Sequence, residues 1–199
     1  MTAKEWRRYY EAAGGEPRAT LLDALERFDP VVERLAVDLG CGTGRDTVEM
    51  LRRGWFVYAV DGQAEAIERL RARAGADARL TAEVVRFEDV HLPPTHLVNS
   101  SFALPFCPPD AFPGLWQQIV DSLRPGGRFA GQLFGVRDDW APARGAPAEN
   151  PMTFHTRDEV EEYARPFEIE RLDELEKDGR TAVGASKHWH VFHLVLQKR

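Results

Sequence analysis

Blocks of consecutive apolar residues alternate with stretches of helical spacing along most of this chain. "RLAVDL" (Arg34 to Leu39) and "WFVYAVD" (Trp55 to Asp61) are too continuously apolar for half-exposed strands and read as buried ones, with "RDTVEMLRRG" between them as a helix ended by Gly54. From Ala64 the pattern turns helical again, with Ile67, Leu70 and Ala74 on one face. "AEVVRF" (82–87) and "HLVNSS" (96–101) predict a third and fourth strand, and Phe112 to Leu123 a helix that faces inward through Trp116 and Ile119. Arg124 to Gly127 fits a type II turn, with Pro125 at its preset φ and Gly126 at the position that needs φ > 0. "RFAGQLFG" (128–135) then makes a fifth strand, and the alternation as a whole predicts a parallel sheet with crossover helices.

The last quarter follows a different pattern. Thr156 with Glu159 three residues on is a capping box and opens a short helix. "FEIERLDELEKDG" and "HWHVFHLVLQKR" read as two strands joined through Asp178 to Lys187, which makes an antiparallel hairpin. The Pro- and Ala-rich piece before that helix, Ala141 to Pro151, reads as a loop. At the other end, Trp6, Tyr9 and Tyr10 share a helical face, suited either to covering a ligand or to simple docking.

Composition narrows the class. The 199 residues are 43% hydrophobic and 29% charged, enough for one domain spanning 1–199, with 1–30 as an N-terminal helical segment. No apolar run reaches the roughly 18 residues of a membrane span, and the amino terminus lacks a signal-peptide pattern, so a cytoplasmic address is expected. Two cysteines exclude a disulfide framework, and a net charge of -6 argues against a nucleic-acid surface. A small-molecule partner is therefore expected, on a monomer or a homodimer.

The chemistry concentrates in "AVDLGCGTGRDT" (Ala36 to Thr47). Gly40, Gly42 and Gly44 follow a strand and open a helix, where missing β-carbons let a ligand approach backbone while the helix N-terminus offers free N–H groups. Asp61 ends the second strand, where a carboxylate can accept hydrogen bonds from both hydroxyls of a ribose. A dinucleotide fingerprint requires Gly-x-Gly-x-x-Gly, but here the sixth position is Arg45 and the third glycine arrives one residue early. A nicotinamide oxidoreductase is thereby disfavoured.

The pattern Asp-x-Gly-x-Gly-x-Gly resembles motif I of the class I S-adenosylmethionine-dependent methyltransferases. Asp61, the acidic pair Glu88-Asp89, "LRPGG" and the terminal hairpin extend the likeness over most of the chain. More loosely, the compact size and aromatic N-terminus resemble the small bacterial methyltransferases of the tellurite-resistance type. The resemblance implies an α/β, Rossmann-like three-layer sandwich with a seven-stranded, mostly parallel sheet, order 3-2-1-4-5-7-6, and an antiparallel last strand. It also implies S-adenosylmethionine as cofactor, an in-line methyl transfer and a small-molecule acceptor. A non-catalytic S-adenosylmethionine-binding module is the alternative. Gly40, Cys41, Gly42 and Gly44 would approach the cofactor with Asp38 organising the loop, Asp61 would hold the ribose, and Glu88, in preference to Asp89, the adenine amino group. The Cys41 side chain itself reads as a small packing residue. Where nucleobase and glutamine methyltransferases carry Asn-Pro-Pro-aromatic, this chain has Asn99-Ser100-Ser101-Phe102, which argues against a DNA adenine substrate.

Ligands of such sheets lie beyond the carboxyl ends of the parallel strands. That places Ser100 beside the cofactor, and Phe102, Phe134, Arg137, Trp140 and Lys187 on the acceptor side. Aromatic groups there would shield a sulfonium and favour it by cation–π contact. His188 and His190 are the candidate bases, with packing as the plain alternative. They share one strand face while His193 takes the other, so no metal site is expected from the three.

Overall fold

The computed structural model describes residues 3–12, 14–29, 33–142 and 152–199. Most of the Ala141 to Pro151 segment lies outside them. Two N-terminal helices, α1 (Ala3–Ala12) and α2 (Ala19–Glu26), precede the alternating core of β1 (Leu35–Leu39), α3 (Arg45–Arg52), β2 (Phe56–Asp61), α4 (Ala64–Ala74), β3 (Leu80–Val84), β4 (Thr95–Ser100), α5 (Phe112–Ser122) and β5 (Leu123–Gly135). A two-residue β6 (Phe154–His155), α6 (Arg157–Ala164), β7 (Phe167–Arg180) and β8 (Ser186–Lys198) complete the chain. The strands form one sheet in the order β3-β2-β1-β4-β5-β8-β7, with β6 paired to β5 off that path. With β6 set aside, this is the order 3-2-1-4-5-7-6. The last strand runs antiparallel to both its neighbours.

Neighbouring residues of each central strand serve opposite faces. Val37, Val98, Phe129 and Leu194 pack with α5 and α6, whereas Ala36, Leu97, Ala130 and Val195 pack with α2, α3 and α4. Two cores therefore sandwich the sheet, and each fully buried Leu, Ile or Phe contributes roughly 1.5–3 kcal/mol. Among the described residues, no helix is long and apolar enough to cross a membrane.

Beyond one-residue shifts at strand ends, three boundaries differ from the sequence expectation. β3 starts and ends earlier than 82–87, because it ladders with β2 only from Leu80 to Val84 and β2 itself ends at Asp61. β5 starts at Leu123, before the Arg124–Gly127 turn. The register jumps from Thr95↔Leu123 to Leu97↔Arg128, so the turn is looped out of a ladder that continues beyond it, with Gly126 at φ 76°. The hairpin ladder reaches Arg180↔Ser186, which leaves a loop of 181–185 in place of the expected 178–187. The Thr156–Glu159 capping box forms in full.

Candidate active site

The three loop glycines all have positive φ, at 70°, 53° and 83° for Gly40, Gly42 and Gly44. Their reasons differ. A β-carbon on Gly40 would overlap Ala103, and one on Gly44 would overlap Leu70, so both glycines are needed for packing. At Gly42 an added β-carbon would meet nothing within 4 Å. The loop is pinned by Gly40 and Cys41 N–H groups that donate to the Val60 carbonyl (2.8 and 3.0 Å) and by the Gly42 N–H on Asp61 Oδ2 (2.9 Å).

Buried carboxylates brace this loop from below. Asp38 accepts from the Thr47 hydroxyl and from Asn99 Nδ2 (2.9 Å), and Asp46 accepts from the Arg18 N–H (3.0 Å). Burial, followed by the nearby Asp46 charge, pushes Asp38 well above the ordinary carboxylate range. Burial also raises Asp61, against the opposing N–H bonds from Gln63 and Gly42. Each Asp61 oxygen accepts one backbone N–H, which leaves each a second lone pair. Glu88 is held below its usual range by Arg86 (2.8 Å).

One cavity of about 1170 Å³ runs from this loop to the closing hairpin. The aromatic face of α1, Trp6, Tyr9 and Tyr10, lines it at the glycine-loop end. Tyr10 is buried there, and desolvation together with the Asp61 carboxylate raises its phenol well above the ordinary value. At the far end Phe102, Phe134, Trp140 and Trp189 form a wall with ring centroids 5.8–6.3 Å apart. Phe102 is the one non-glycine at positive φ (58°) among the described residues, a conformation that costs roughly 1–3 kcal/mol. Its N–H donates to the Oε1 of fully buried Gln132 (2.9 Å), whose Nε2 donates to Thr20 (2.8 Å) and lies 3.5 Å from His193 Nδ1. The Arg18 guanidinium stands 4.6 Å over the Phe102 ring.

Of the residues singled out in the sequence, Asp38, Gly40, Cys41, Gly42, Asp61 and Glu88 line the cavity, as do Phe102, Phe134 and Trp140. Gly44 and Asp89 do not. Ser100 is fully buried and donates to the Leu39 carbonyl (2.9 Å), and Ser101 faces the cavity beside it. Lys187 is buried under the aromatic wall, paired with Asp138, its ammonium 3.8 Å from the centres of Trp140 and Trp189.

His188 and His190 turn away from the cavity. Past Ser186 at its start, the β8 residues that line it are Trp189, Val191 and His193, so alternation sends His188 and His190 to the reverse face. There His190 meets Glu174 (2.9 Å), His188 meets Asp178 (2.7 Å), and Arg137 bonds Glu174 and Glu176. His193, Arg18 and Gln132 are the site residues that sequence reasoning passed over. Gln132 had a visible signal, as the single polar side chain in the run "FAGQLF". Among the described residues, no cluster of three or more His, Cys, Asp or Glu is placed to hold a metal ion.

Residues 36–127 match the methyltransferase domain family. An uncharacterised methyltransferase of Mycobacterium tuberculosis is 30% identical over 125 residues, 59% of this chain and 46% of that relative. The carboxy-S-adenosyl-L-methionine synthase of Aeromonas hydrophila is 36% identical over 97 residues, 45% of this chain and 39% of that relative. The chain thus spans about half the length of the curated relatives it matches. Among solved structures, TehB from Haemophilus influenzae superposes with a TM-score of 0.72 at 15% identity, covering 92% of this chain and 62% of TehB. Phosphoethanolamine N-methyltransferase 2 from Haemonchus contortus, solved with S-adenosyl-L-methionine, gives 0.70 at 18% identity, covering 99% and 57% of the two chains. These likenesses, the strand order and the glycine loop agree: residues 36–127 match a methyltransferase domain, and the fold around them is that of the class I S-adenosylmethionine-dependent methyltransferases.

Proposed function

We propose that the chain transfers a methyl group from S-adenosylmethionine to a small-molecule acceptor seated against the aromatic wall. The observation that carries this reading is the continuity of the cavity. Its volume of about 1170 Å³ exceeds the ~300–1,000 Å³ that suits one drug-sized ligand, which leaves room for a cofactor and a second molecule.

The residues at the glycine-loop end fit that cofactor on two counts. Arg18 Nε and Arg45 Nε are buried without a hydrogen-bond partner among the described residues, Arg45 Nε standing 3.6 Å from Asp46 Oδ1, and both side chains line the cavity. A carboxylate such as the cofactor's methionine end would satisfy both donors. The open space at Gly42 then takes the ligand's close approach. Asp61 offers its two free lone pairs to the ribose hydroxyls, and Glu88, which faces the cavity, is favoured over Asp89 for the adenine amino group. When bound, the cofactor would supply an electrophilic methyl group, which passes in line to the acceptor as the S–CH3 bond breaks and the thioether S-adenosylhomocysteine leaves. Phe102, Phe134 and Trp189 keep water from that end of the cavity and hold the acceptor's orientation, which is the main source of rate in such a displacement.

His193 replaces His188 and His190 as the proton acceptor in this reading. It lines the cavity, and burial, aided by Arg171, draws its imidazole below the usual range despite the nearby Asp173; Arg18 and Lys177 act in the same direction as Arg171. That favours the neutral imidazole, which can accept a proton from a hydroxyl or amine. The test is transfer of labelled methyl to a panel of small acceptors. His193→Gln should lower kcat by about 100-fold or more and remove the acid limb of the pH profile, an expectation scaled to general-base contributions. His188→Gln, on the reverse face, should leave kcat within about twofold, on the same scale. Equal losses in the two variants would contradict the assignment.

A further inference from the structure

The closing hairpin lends the cavity cations and keeps its carboxylates out of the lining. β7 carries a bulge at Glu170, where the register jumps between Ile169 and Arg171, and beyond it the odd-numbered residues stand opposite the odd-numbered residues of β8. Leu175 pairs with Val191 and Lys177 with Trp189, and all four line the cavity; Arg180 and Ser186, the last rung before the connecting loop, line it too although they fall on the even-numbered row. Of the acidic residues beyond the bulge, Glu174, Glu176 and Asp178 pair on the reverse face with Arg137, Arg157, His188 and His190, and Asp173, opposite His193, is outside the cavity lining and paired with Arg171. An overall acidic strand therefore gives the cavity two permanent cations and no carboxylate.

Elsewhere the cavity lining mixes both signs, with Arg8, Arg18, Arg45 and Arg86 among the carboxylates. The carboxylates that line the cavity are Asp38, Asp46, Asp61 and Glu88 at the glycine-loop end and Glu5 on α1. None comes from β7, β8 or their connecting loop. Lys177 and Arg180 stand outside the ion pairs of the described residues, and Arg180 donates to the Gly184 carbonyl (2.9 Å). Next to them lies the wall of Phe102, Phe134, Trp140 and Trp189, whose rings suit a flat apolar body in stacked or edge contact. In a cavity with low-dielectric walls, two same-sign charges concentrate the field on a counter-ion.

We infer that the acceptor is a small aromatic anion, its ring held by the aromatic wall and its negative group by Lys177 and Arg180. This rests on the methyltransferase reading and adds the substrate class to it. The test uses the whole protein saturated with S-adenosylhomocysteine and titrated by calorimetry with hydroxybenzoate isomers and with their uncharged amides. At least one hydroxybenzoate should bind tenfold or more tightly than its amide. The double variant Lys177→Gln, Arg180→Gln should lose that preference while its S-adenosylhomocysteine affinity stays within twofold. Equal binding of acids and amides, no binding of any acid to the loaded protein, or a preference that survives in the double variant would each overturn the inference. Failure of S-adenosylhomocysteine itself to bind would overturn the underlying reading instead, so the two failures are separable.

Discussion

Gly42 separates a ligand cradle from a tight turn, because it is the one loop glycine whose β-carbon position is empty. Gly42→Ala places a methyl group at φ 53° with nothing within 4 Å, so its stability cost is only that of a left-handed alanine, about 1–2 kcal/mol. In a chain of this length that lowers Tm by about 2–8 °C, at roughly 2–4 °C per kcal/mol. Gly44→Ala incurs the same backbone cost and in addition overlaps Leu70, for about 1–3 kcal/mol more. Gly42→Ala should thus be the milder variant by thermal melting. By calorimetry with S-adenosylhomocysteine the Gly42 variant, still folded, should bind at least tenfold more weakly, a loss of about 1.4 kcal/mol, because its new methyl occupies the space the ligand needs. A Gly42→Ala protein that melts a few degrees lower yet binds with wild-type affinity would refute the reasoning, and the loop would then be a turn only.

His155 and Lys187 give further predictions. His155 is buried against Phe112 and Tyr163, its Nε2 has no partner among the described residues, and burial draws its pKa down to about 4. The unfolded chain binds this proton first, so stability is full above about pH 6.5 and declines as pH falls toward 4, by roughly 3 kcal/mol in total. Denaturant melts of wild type and His155→Phe across that window should show the variant's pH slope flattened by this amount. Lys187 and Asp138 form a fully buried ion pair, and Lys187→Met or Asp138→Leu alone should cost about 3–5 kcal/mol by leaving one charge uncompensated. The double variant should be more stable than the sum of the two losses. Strict additivity in a denaturation cycle would show that the charges do not depend on each other.

The apolar runs of β1, β2, β4 and β5 were readable because both faces of a central parallel strand are covered, and the turn glycines marked their ends. The cradle was equally legible, since Asp38, Gly40, Gly42 and Gly44 are close in sequence and local backbone demands fix their types. Orientation in the hairpin was not. β8 buries Val191 and Phe192, then Leu194 and Val195, so it is apolar on both faces and its pattern does not say which row faces a ligand. In β7 the bulge at Glu170 inverts the alternation midway, which moves Lys177 into the cavity and Glu176 out of it. The sequence reading therefore chose the row of His188 and His190 over that of His193, although of the three only His193 lines the cavity. Arg18 and Gln132 reach the site over 84 and 30 residues from Phe102, and no local spacing announces such contacts.

The central claim is that the loop from Asp38 to Gly44 and the carboxylate of Asp61 together hold S-adenosylmethionine. Calorimetric titration with S-adenosylhomocysteine, on wild type and Asp61→Ala, with NADH as the control ligand, tests it most directly. The account predicts micromolar binding to wild type, at least tenfold weaker binding to Asp61→Ala for loss of the ribose contacts, and no NADH signal, in line with hydrogen bonds to charged groups worth about 1.5–3 kcal/mol. Binding of NADH in place of S-adenosylhomocysteine, or wild-type affinity in Asp61→Ala, would contradict it.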